Sequence, residues 1–401
     1  FGYTGGAILS VTDTLYKSDK ITYIKNVNEQ CMGHSAEGYF KVTNKPGVII
    51  STSGPGVTNL ITVMQNAFSD GNALVVLSGQ VGTQFIGTNA FQEAPSVELT
   101  KPCTKLSIQV KDVNDIPFIM KEAFKISMEG RKGPVFIDLP KDILTSTIRE
   151  PNHLYYVNKN NYKDNIELYD NSCYTKIKQL IKLLEQAEKP IMYVGQGANH
   201  CHNLIRYLSK HLNIPVTTTI HGLGIMDEKN DLSLDMVGMH GSIYANKAIQ
   251  QSDLILAIGT RFDDRTTGDL NKYAPVAKMA SKQKKGGIVH FNIDHNEFNK
   301  LVHSDIHFSG DCHIYLTKLV HMLTNVKKIY NKNKKWTEHI INIKHKNPFV
   351  YTHIENKIKV QQVVETLNKY APNAYITTGV GNHQMYMAQF YKWTQPGTMI
   401  T

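Results

Sequence analysis

The chain has 401 residues, 41% hydrophobic and 19% charged, which is ordinary for a folded protein and excludes a disordered one. Lys and Arg number 44 against 34 acidic residues, a net charge of +10. The excess lies in separate Lys- and Asn-rich stretches without an Arg-rich helix, so we predict solvated loops and no nucleic-acid partner. No stretch of about eighteen apolar residues occurs, so no membrane-spanning segment is predicted.

The first 146 residues alternate between strand and helix patterns. Residues 1–6 are predicted to be a turn after a strand that precedes them. Strands are predicted over 21–25, 47–52, 73–78 and 135–139, and helices over 7–16, 58–69 and 113–128. Near-continuous apolar strands between helices are typical of a parallel sheet covered on both faces. We therefore predict an α/β fold of successive open parallel sheets flanked by helices, with a first domain over residues 1–146.

A polar stretch over residues 147–173 is interpreted as a linker. A second α/β domain is predicted over 174–325, with helices over 174–187, 201–211 and 244–250 and strands over 190–194, 216–219, 254–258 and 287–293. The Lys-rich residues 326–358 are interpreted as a second linker, only partly helical. Residues 359–401 are predicted to begin a third α/β unit that the chain does not complete.

Two glycine motifs each join a strand to a helix. Gly195-Gln196-Gly197 could hold a pyrophosphate at a helix N-terminus, but His200 stands where the Rossmann motif has its third glycine, so a plain turn is favoured for the isolated motif. The second motif, Ser53-Gly54-Pro55-Gly56, also favours a tight turn when taken alone.

Charged residues occupy two more positions of interest. Arg261 and the charges up to Arg265 follow a buried strand, where open α/β sheets bind ligands, although an ion-pair cluster is an equal alternative. Glu29 in a first helical turn is ordinarily dipole compensation. The chain has five cysteines: Cys31, Cys103, Cys173, Cys201 and Cys312. They form no Cys-x-x-Cys pair, so neither a zinc site nor a disulfide framework is predicted.

Taken together, these segments resemble the catalytic subunits of acetohydroxyacid synthase (acetolactate synthase), thiamine-diphosphate enzymes that also bind FAD. The resemblance runs nearly end to end in nine segments: 1–9, 28–39, 45–59, 78–93, 130–142, 217–224, 236–241, 261–268 and 377–391. It implies a pyrimidine-binding domain, a Rossmann-like central FAD domain and the start of a diphosphate-binding domain. It also implies a homodimer or tetramer, because the thiamine cofactor of this family lies between two subunits.

The resemblance assigns a role to Glu29, which would hydrogen-bond and protonate the aminopyrimidine ring of the cofactor. The reaction cavity would be lined by Gly5, Gly6, Phe91, Gln92 and Lys111. Residues expected around FAD are Lys101, Gly195, Gly197, Thr219, Met239, His240, Arg261, Asn292 and Asp311. Asn382 and His383 would contact the cofactor diphosphate. The family's Mg²⁺-binding segment is expected beyond Thr401, so no metal ligand is assigned and the chain alone is expected to be inactive.

Five positions depart from the family pattern: Asn28, Cys31, Gly82, Lys101 and Tyr386. Asn28 replaces a His beside the glutamate, and Lys101 replaces an Arg, keeping the charge but losing the planar fork. These differences leave the substrate preference open.

The predicted reaction is decarboxylation of pyruvate and carboligation to a second 2-keto acid, pyruvate or 2-ketobutyrate, for branched-chain amino acid synthesis. The alternatives are a related decarboxylase or oxidase and a catalytically silent FAD-binding relative. A regulatory subunit is a further partner that the family implies. The insertion over 277–286 resembles eukaryotic members and favours a mitochondrion or plastid over a bacterial-type cytoplasm.

Overall fold

The computed structural model describes residues 1–149, 171–323 and 332–401. They form two compact units, Phe1–Asp164 and Asn165–Thr401, with most of the predicted linker 147–173 outside the described residues. Within the described ranges, no helix has the length and apolar character needed to cross a membrane.

The first unit is a four-stranded parallel sheet with the order β1-β2-β4-β3. Its strands are β1 Gly47–Ser51, β2 Leu74–Gln80, β3 Leu106–Gln109 and β4 Pro134–Pro140. Its helices are α1 Leu9–Tyr16, α2 Glu29–Thr43, α3 Pro55–Thr58, α4 Ile61–Asp70, α5 Ser96–Thr100, α6 Ile116–Met128 and α7 Lys141–Thr145. Every residue of β2 and β4 is buried, because helices cover both faces of the sheet.

The beginning of the chain lies in this sheet. Gly2 pairs in parallel with both Ile50 and Lys25, so residues 1–3 lie between β1 and the segment around Lys25. The predictions of a turn over 1–6 and a strand over 21–25 are corrected accordingly: the turn begins at Gly6, and the predicted strand is reduced to a single bridge.

The second unit contains a six-stranded parallel sheet with the order β10-β9-β8-β5-β6-β7. Its strands are β5 Pro190–Val194, β6 Val216–Thr218, β7 Ser233–Met236, β8 Leu254–Ile258, β9 Gly287–Asn292 and β10 Ile306–Ser309, followed by the short pair β11 Ile376–Thr377 and β12 Met399–Ile400. Its helices are α8 Asn171–Gln186, α9 His202–Leu212, α10 Ile243–Gln251, α11 Asp264–Thr267, α12 Pro275–Lys282, α13 Cys312–Leu323, α14 Lys334–Lys346, α15 Val360–Tyr370 and α16 Asn382–Phe390.

This strand order is that of a doubly wound, Rossmann-type sheet. The chain moves outward from β5 to β7 on one side and then from β8 to β10 on the other, so the direction reverses between β5 and β8. Both faces of the sheet carry a buried apolar cluster. The predicted α/β class with successive open parallel sheets is therefore confirmed.

The structure corrects the linker prediction for residues 334–346, which belong to the predicted linker 326–358. Residues 334–346 form α14, and its Trp336 and Ile340 are buried against the second unit's core. The indole Nε1 of Trp336 donates a hydrogen bond to the Pro190 carbonyl at 3.0 Å. Trp336, Ile340 and Ile343 recur at the spacing of an amphipathic helix, a signal that the prediction from the Lys-rich composition did not use.

Residues 359–401 lie in the second compact unit. Their side chains Val364, Ile376 and Trp393 share an apolar cluster with Leu223 and Met236. Their assignment to a separate diphosphate-binding domain stays a prediction.

Candidate functional site

In the first unit, the residues predicted to line the reaction cavity all follow the carboxyl ends of parallel strand segments. Gly6 follows residues 1–3, Glu29 follows the bridge at Lys25, Phe91 and Gln92 follow β2, and Lys111 follows β3. Parallel strands end at the same edge of a sheet, which is where open α/β sheets bind ligands. Lys101 instead lies in a short 3-10 helix that leads into the amino end of β3, and its side chain is exposed.

The position of Glu29 is set by the beginning of α2. Asn28 has extended backbone angles, and its Oδ1 accepts hydrogen bonds from the amides of Gln30 at 2.9 Å and Cys31 at 3.2 Å. This N-cap makes Glu29 the first helical residue. Its Oε2 accepts a hydrogen bond from Asn59 Nδ2 at 3.0 Å, so the half-buried carboxylate is fixed by a second segment. The departure at Asn28 therefore carries a structural role.

The glycine turn before α3 touches the segment that carries Gln92. Gly54 has φ +61°, and a Cβ there would lie 2.6 Å from the Gln92 carbonyl oxygen. A side chain at position 54 would separate the two backbones. Asn59 lies five residues after Gly54, so one short segment contacts both Glu29 and Gln92. The structure thus brings these two predicted residues to the same turn.

Glu93 orders the loop that carries Phe91 and Gln92. Its carboxylate accepts hydrogen bonds from the amides of Gly87 and Ala90, which lower the pKa of Glu93 below its usual value, the Gly87 bond most. The loop is closed by these bonds, and the Phe91 side chain is left 88% exposed. Sequence reasoning assigned no role to Glu93, although an acid beside a turn rich in free amides is a recognisable signal.

A buried carboxyl ties three strands together below this loop. Asp138 Oδ2 accepts hydrogen bonds from Gln80 Nε2 at 3.3 Å and Gln109 Nε2 at 2.7 Å, at the ends of β2 and β3. Gln80 Nε2 also donates to the Ala94 carbonyl at 3.0 Å, next to the Gln92 loop. Asp138 Oδ1 accepts no hydrogen bond from the residues that the structure describes. Burial raises the pKa of Asp138 to about 6.

Replacing Asp138 with Asn is expected to stabilise the protein above pH 6. The folded-state pKa lies above the unfolded value, so the buried carboxylate destabilises the fold at neutral pH, and this effect disappears as the pH falls toward 4. The Asn oxygen keeps both glutamine contacts. Urea unfolding should give Asp138→Asn about 1–3 kcal/mol more stability at pH 8 and nearly none at pH 4. An advantage that does not change with pH would contradict the ionisation argument.

In the second unit, two predicted glycines lie at the point where the sheet reverses direction. A Cβ on Gly195 or Gly197 would lie 2.6 or 2.9 Å from the carbonyl oxygen of Gly259, which follows β8. The connections after β5 and β8 therefore meet backbone to backbone. Thr219 joins them, because its amide donates to the Val194 carbonyl at 2.9 Å. The switch point of a doubly wound sheet is where such folds bind nucleotides.

Three more predicted segments meet beside this point. Phe262 is buried between Tyr193 and His290, which anchors the exposed Arg261 at the end of β8. The Met239 amide donates to the Arg265 carbonyl at 2.8 Å, bringing Met239 and His240 to the same loop.

Asn292 and Asp311 complete the edge. Asn292 Nδ2 donates to the Thr260 carbonyl at 2.9 Å. Asp311 follows β10, and its Oδ1 lies 2.8 Å from His200 Nε2. This pairing raises the pKa of His200 to about 10 and lowers that of Asp311. The predicted nucleotide residues of this unit are thus gathered along one sheet edge.

Asn382 and His383 lie in the first turn of α16, and both side chains are exposed. The turn before them is compact, since a Cβ on Gly379 would lie 3.6 Å from His383 Nε2.

Comparison with known proteins finds one family match in each of the two units. Residues 1–99 match the family "Thiamine pyrophosphate enzyme, N-terminal TPP binding domain", and residues 177–319 match "Thiamine pyrophosphate enzyme, central domain". The whole chain is 44% identical to "Acetolactate synthase, mitochondrial" of Schizosaccharomyces pombe and 42% identical to "Acetolactate synthase catalytic subunit, mitochondrial" of Saccharomyces cerevisiae. It is 37% identical to "Acetolactate synthase isozyme 3 large subunit" of Escherichia coli.

The chain spans 61% and 59% of the two yeast proteins and 68% of the bacterial subunit. Both domain types match in chain order, and each of these relatives aligns along the full length of the chain. The chain therefore belongs to the acetolactate synthase family of thiamine pyrophosphate enzymes.

Proposed function

We propose that the full-length protein containing this chain decarboxylates pyruvate and joins the remaining two-carbon unit to a second 2-keto acid, either pyruvate or 2-ketobutyrate. The products are 2-acetolactate and 2-aceto-2-hydroxybutyrate, early compounds of branched-chain amino acid synthesis. The observation that carries the proposal is the position of Glu29. Glu29 is the first residue of α2, its carboxylate accepts a hydrogen bond from Asn59, and Asn59 lies in the same short segment as Gly54, which contacts Gln92.

The residues around Glu29 fit thiamine diphosphate. A half-buried carboxylate with one fixed partner can hold a proton against a ring nitrogen, while Asn59 keeps it from turning away. When bound, the cofactor supplies the electron sink that decarboxylation of a 2-keto acid requires. Glu29 holds and donates the proton at the aminopyrimidine ring.

The other residues of this edge act on the substrate. The Gln92 amide orients the keto acid, and the exposed Lys111 attracts its carboxylate. Phe91 offers a large exposed apolar side chain that can cover bound substrate, and a Cβ on Gly6 would have no atom within 4 Å, so space is open beside it. The cofactor diphosphate is contacted by residues of the second unit. These are Asn382 and His383, at the N-terminus of α16. Mg²⁺ would neutralise charge on that diphosphate, and we assign it no ligand in this chain.

The sheet edge of the second unit fits FAD. Gly195 and Gly197 let the connections after β5 and β8 meet closely, because a Cβ on either would collide with the Gly259 carbonyl, and this switch point is where such sheets bind a pyrophosphate. The buried Thr218 Oγ1 has no hydrogen-bond partner among the described residues and lies next to this edge. Six further residues surround the flavin nucleotide: Thr219, Met239, His240, Arg261, Asn292 and Asp311.

Three domains follow from the same proposal: a pyrimidine-binding domain over 1–146, a central FAD domain over 174–325 and the start of a diphosphate-binding domain over 359–401. The protein acts as a homodimer or tetramer. The name of the yeast relative, a catalytic subunit, and that of the bacterial one, a large subunit, support a separate regulatory subunit as a partner.

The test is acetolactate formation by the full-length protein with pyruvate, thiamine diphosphate, Mg²⁺ and FAD, with each cofactor omitted in turn. We expect acetolactate from pyruvate alone, and 2-aceto-2-hydroxybutyrate when 2-ketobutyrate is added. Acetaldehyde or acetate as the main product would instead indicate a decarboxylase or an oxidase. A folded, flavin-loaded protein that leaves pyruvate unchanged would be a silent relative, and the proposal would fail.

A further inference from the structure

A cluster of four side chains that can bind a metal lies at one end of the second unit's sheet. Cys201 ends the 3-10 helix Gln196–Cys201, and Cys312 begins α13. Both thiols are buried, and their Sγ atoms are 3.4 Å apart. His200 and Asp311 precede them in sequence, with Nε2 and Oδ1 2.8 Å apart. The four ligand atoms all lie within 4.8 Å of one another.

The donor types select the class of ion. Two thiolates, an imidazole and one carboxylate are a donor set that Zn²⁺ prefers. The hard cations Mg²⁺ and Ca²⁺ prefer oxygen ligands, so they are not the ions that this site selects. Zinc bond lengths place the donors of a tetrahedral site about 3.3–3.8 Å apart. Because the two sulfurs need the upper end of this range and the nitrogen and oxygen the lower end, the thiol pair at 3.4 Å and the imidazole–carboxylate pair at 2.8 Å must both separate slightly to admit the ion. The imidazole and carboxylate side chains are 50% and 44% exposed, which leaves them free to move.

The four donors pair with one another through hydrogen bonds in the structure. One bond joins His200 Nε2 and Asp311 Oδ1, and another joins the two Sγ atoms. A cation that replaces the thiol protons gains two anionic sulfurs and releases those protons to solvent.

The surroundings partly balance the negative donors. The His313 amide donates to Asp311 Oδ1 at 2.9 Å, and α13, twelve residues long, directs its N-terminus at the cluster. Neither feature binds an ion by itself, but both stabilise the carboxylate as a ligand.

We propose that His200, Cys201, Asp311 and Cys312 form a four-coordinate site for a thiophilic divalent cation of the Zn²⁺ class. The site is separate from the thiamine and Mg²⁺ chemistry and does not depend on the proposed reaction. It shares Asp311 with the proposed FAD edge, so metal and flavin compete for one carboxylate.

The test is Co²⁺ binding to the full-length protein, reduced, stripped with a chelator and kept free of FAD. We expect one equivalent of Co²⁺ per chain, with a thiolate charge-transfer band and the intense visible bands of tetrahedral Co²⁺. Zn²⁺ should displace it and abolish both features. Proton release in weak buffer should accompany binding.

Single variants identify the ligands. Cys201→Ser and Cys312→Ser are each expected to weaken metal binding more than tenfold and to reduce the charge-transfer band, and His200→Ala to weaken binding by a similar factor. Cys173→Ser is the matched control, because Cys173 is buried in the same apolar cluster but lies outside the four. It should bind Co²⁺ as the wild type does.

FAD binding provides an independent check of folding, since Cys201→Ser keeps every residue proposed to contact the flavin. Loss of the metal with FAD binding retained supports the proposal. No saturable uptake by the wild type would overturn it, as would a spectrum that survives both cysteine substitutions.

Discussion

Replacing Glu29 with Gln is expected to lower kcat for acetolactate formation by the full-length protein at least about 100-fold. Gln has the shape of Glu and can still accept the hydrogen bond from Asn59 Nδ2, so the first turn of α2 should keep its geometry. What the variant loses is an acid that can hold a proton against the aminopyrimidine ring. The loss should therefore appear in kcat, with a small change in KM for pyruvate.

The control is Glu122→Gln, on α6 rather than at the carboxyl edge, which should keep full activity. Asn59→Ala gives a further comparison. It removes the group that orients Glu29, so we expect a smaller decrease than in Glu29→Gln. If Glu29→Gln kept more than about a tenth of the wild-type kcat, Glu29 would be an ordinary first-turn acid that stabilises the helix dipole.

The sequence pattern alone could not make this distinction. An acid one residue after a capping Asn is what any helix N-terminus prefers, and the resemblance to a known family was needed to assign Glu29 a chemical role. The contact with Asn59, 30 residues later in the chain, is set by tertiary packing, which periodicity does not report. The same holds for the close approach of Gly54 to Gln92.

The strands also include some that the sequence predicted and some that it did not. β5 and β8 have the predicted bounds, because each is a fully buried apolar run in the middle of its sheet. β3, β7 and β10 were not predicted. β3 and β10 are edge strands with polar residues in alternate positions, and β7 is a four-residue edge strand. Short edge strands give a weak apolar signal, since one side of each lacks a neighbouring strand.

Contacts between residues that lie far apart in the chain were also not predicted from the sequence. Cys201 and Cys312 are 111 residues apart, so the absence of a Cys-x-x-Cys pair predicted no metal site, whereas the fold places their sulfurs in contact. Asp138 had a signal that went unused: it is the one acid in the otherwise apolar run of β4. A charge in a strand buried on both faces requires partners, and Gln80 and Gln109 supply them.

Replacing Trp336 with Ala is expected to lower the stability of the second unit by about 3–5 kcal/mol. Trp336 is 4% exposed, and its indole fills a space against the second core cluster while Nε1 bonds the Pro190 carbonyl at the start of β5. Ala leaves a cavity and an unpaired carbonyl at the central strand. Trp336→Phe keeps an aromatic ring but not the hydrogen-bond donor, so it should lose clearly less stability than Trp336→Ala.

Urea unfolding of the full-length protein, followed by circular dichroism, measures the change. Lys335→Ala is the matched control, because its side chain is exposed on the same turn of α14 and should change stability by less than about 0.5 kcal/mol. If Trp336→Ala behaved like Lys335→Ala, residues 334–346 would be the linker that the composition predicts. A large loss of stability would support α14 as part of the central fold, because truncating a side chain in a linker leaves no cavity in a hydrophobic core.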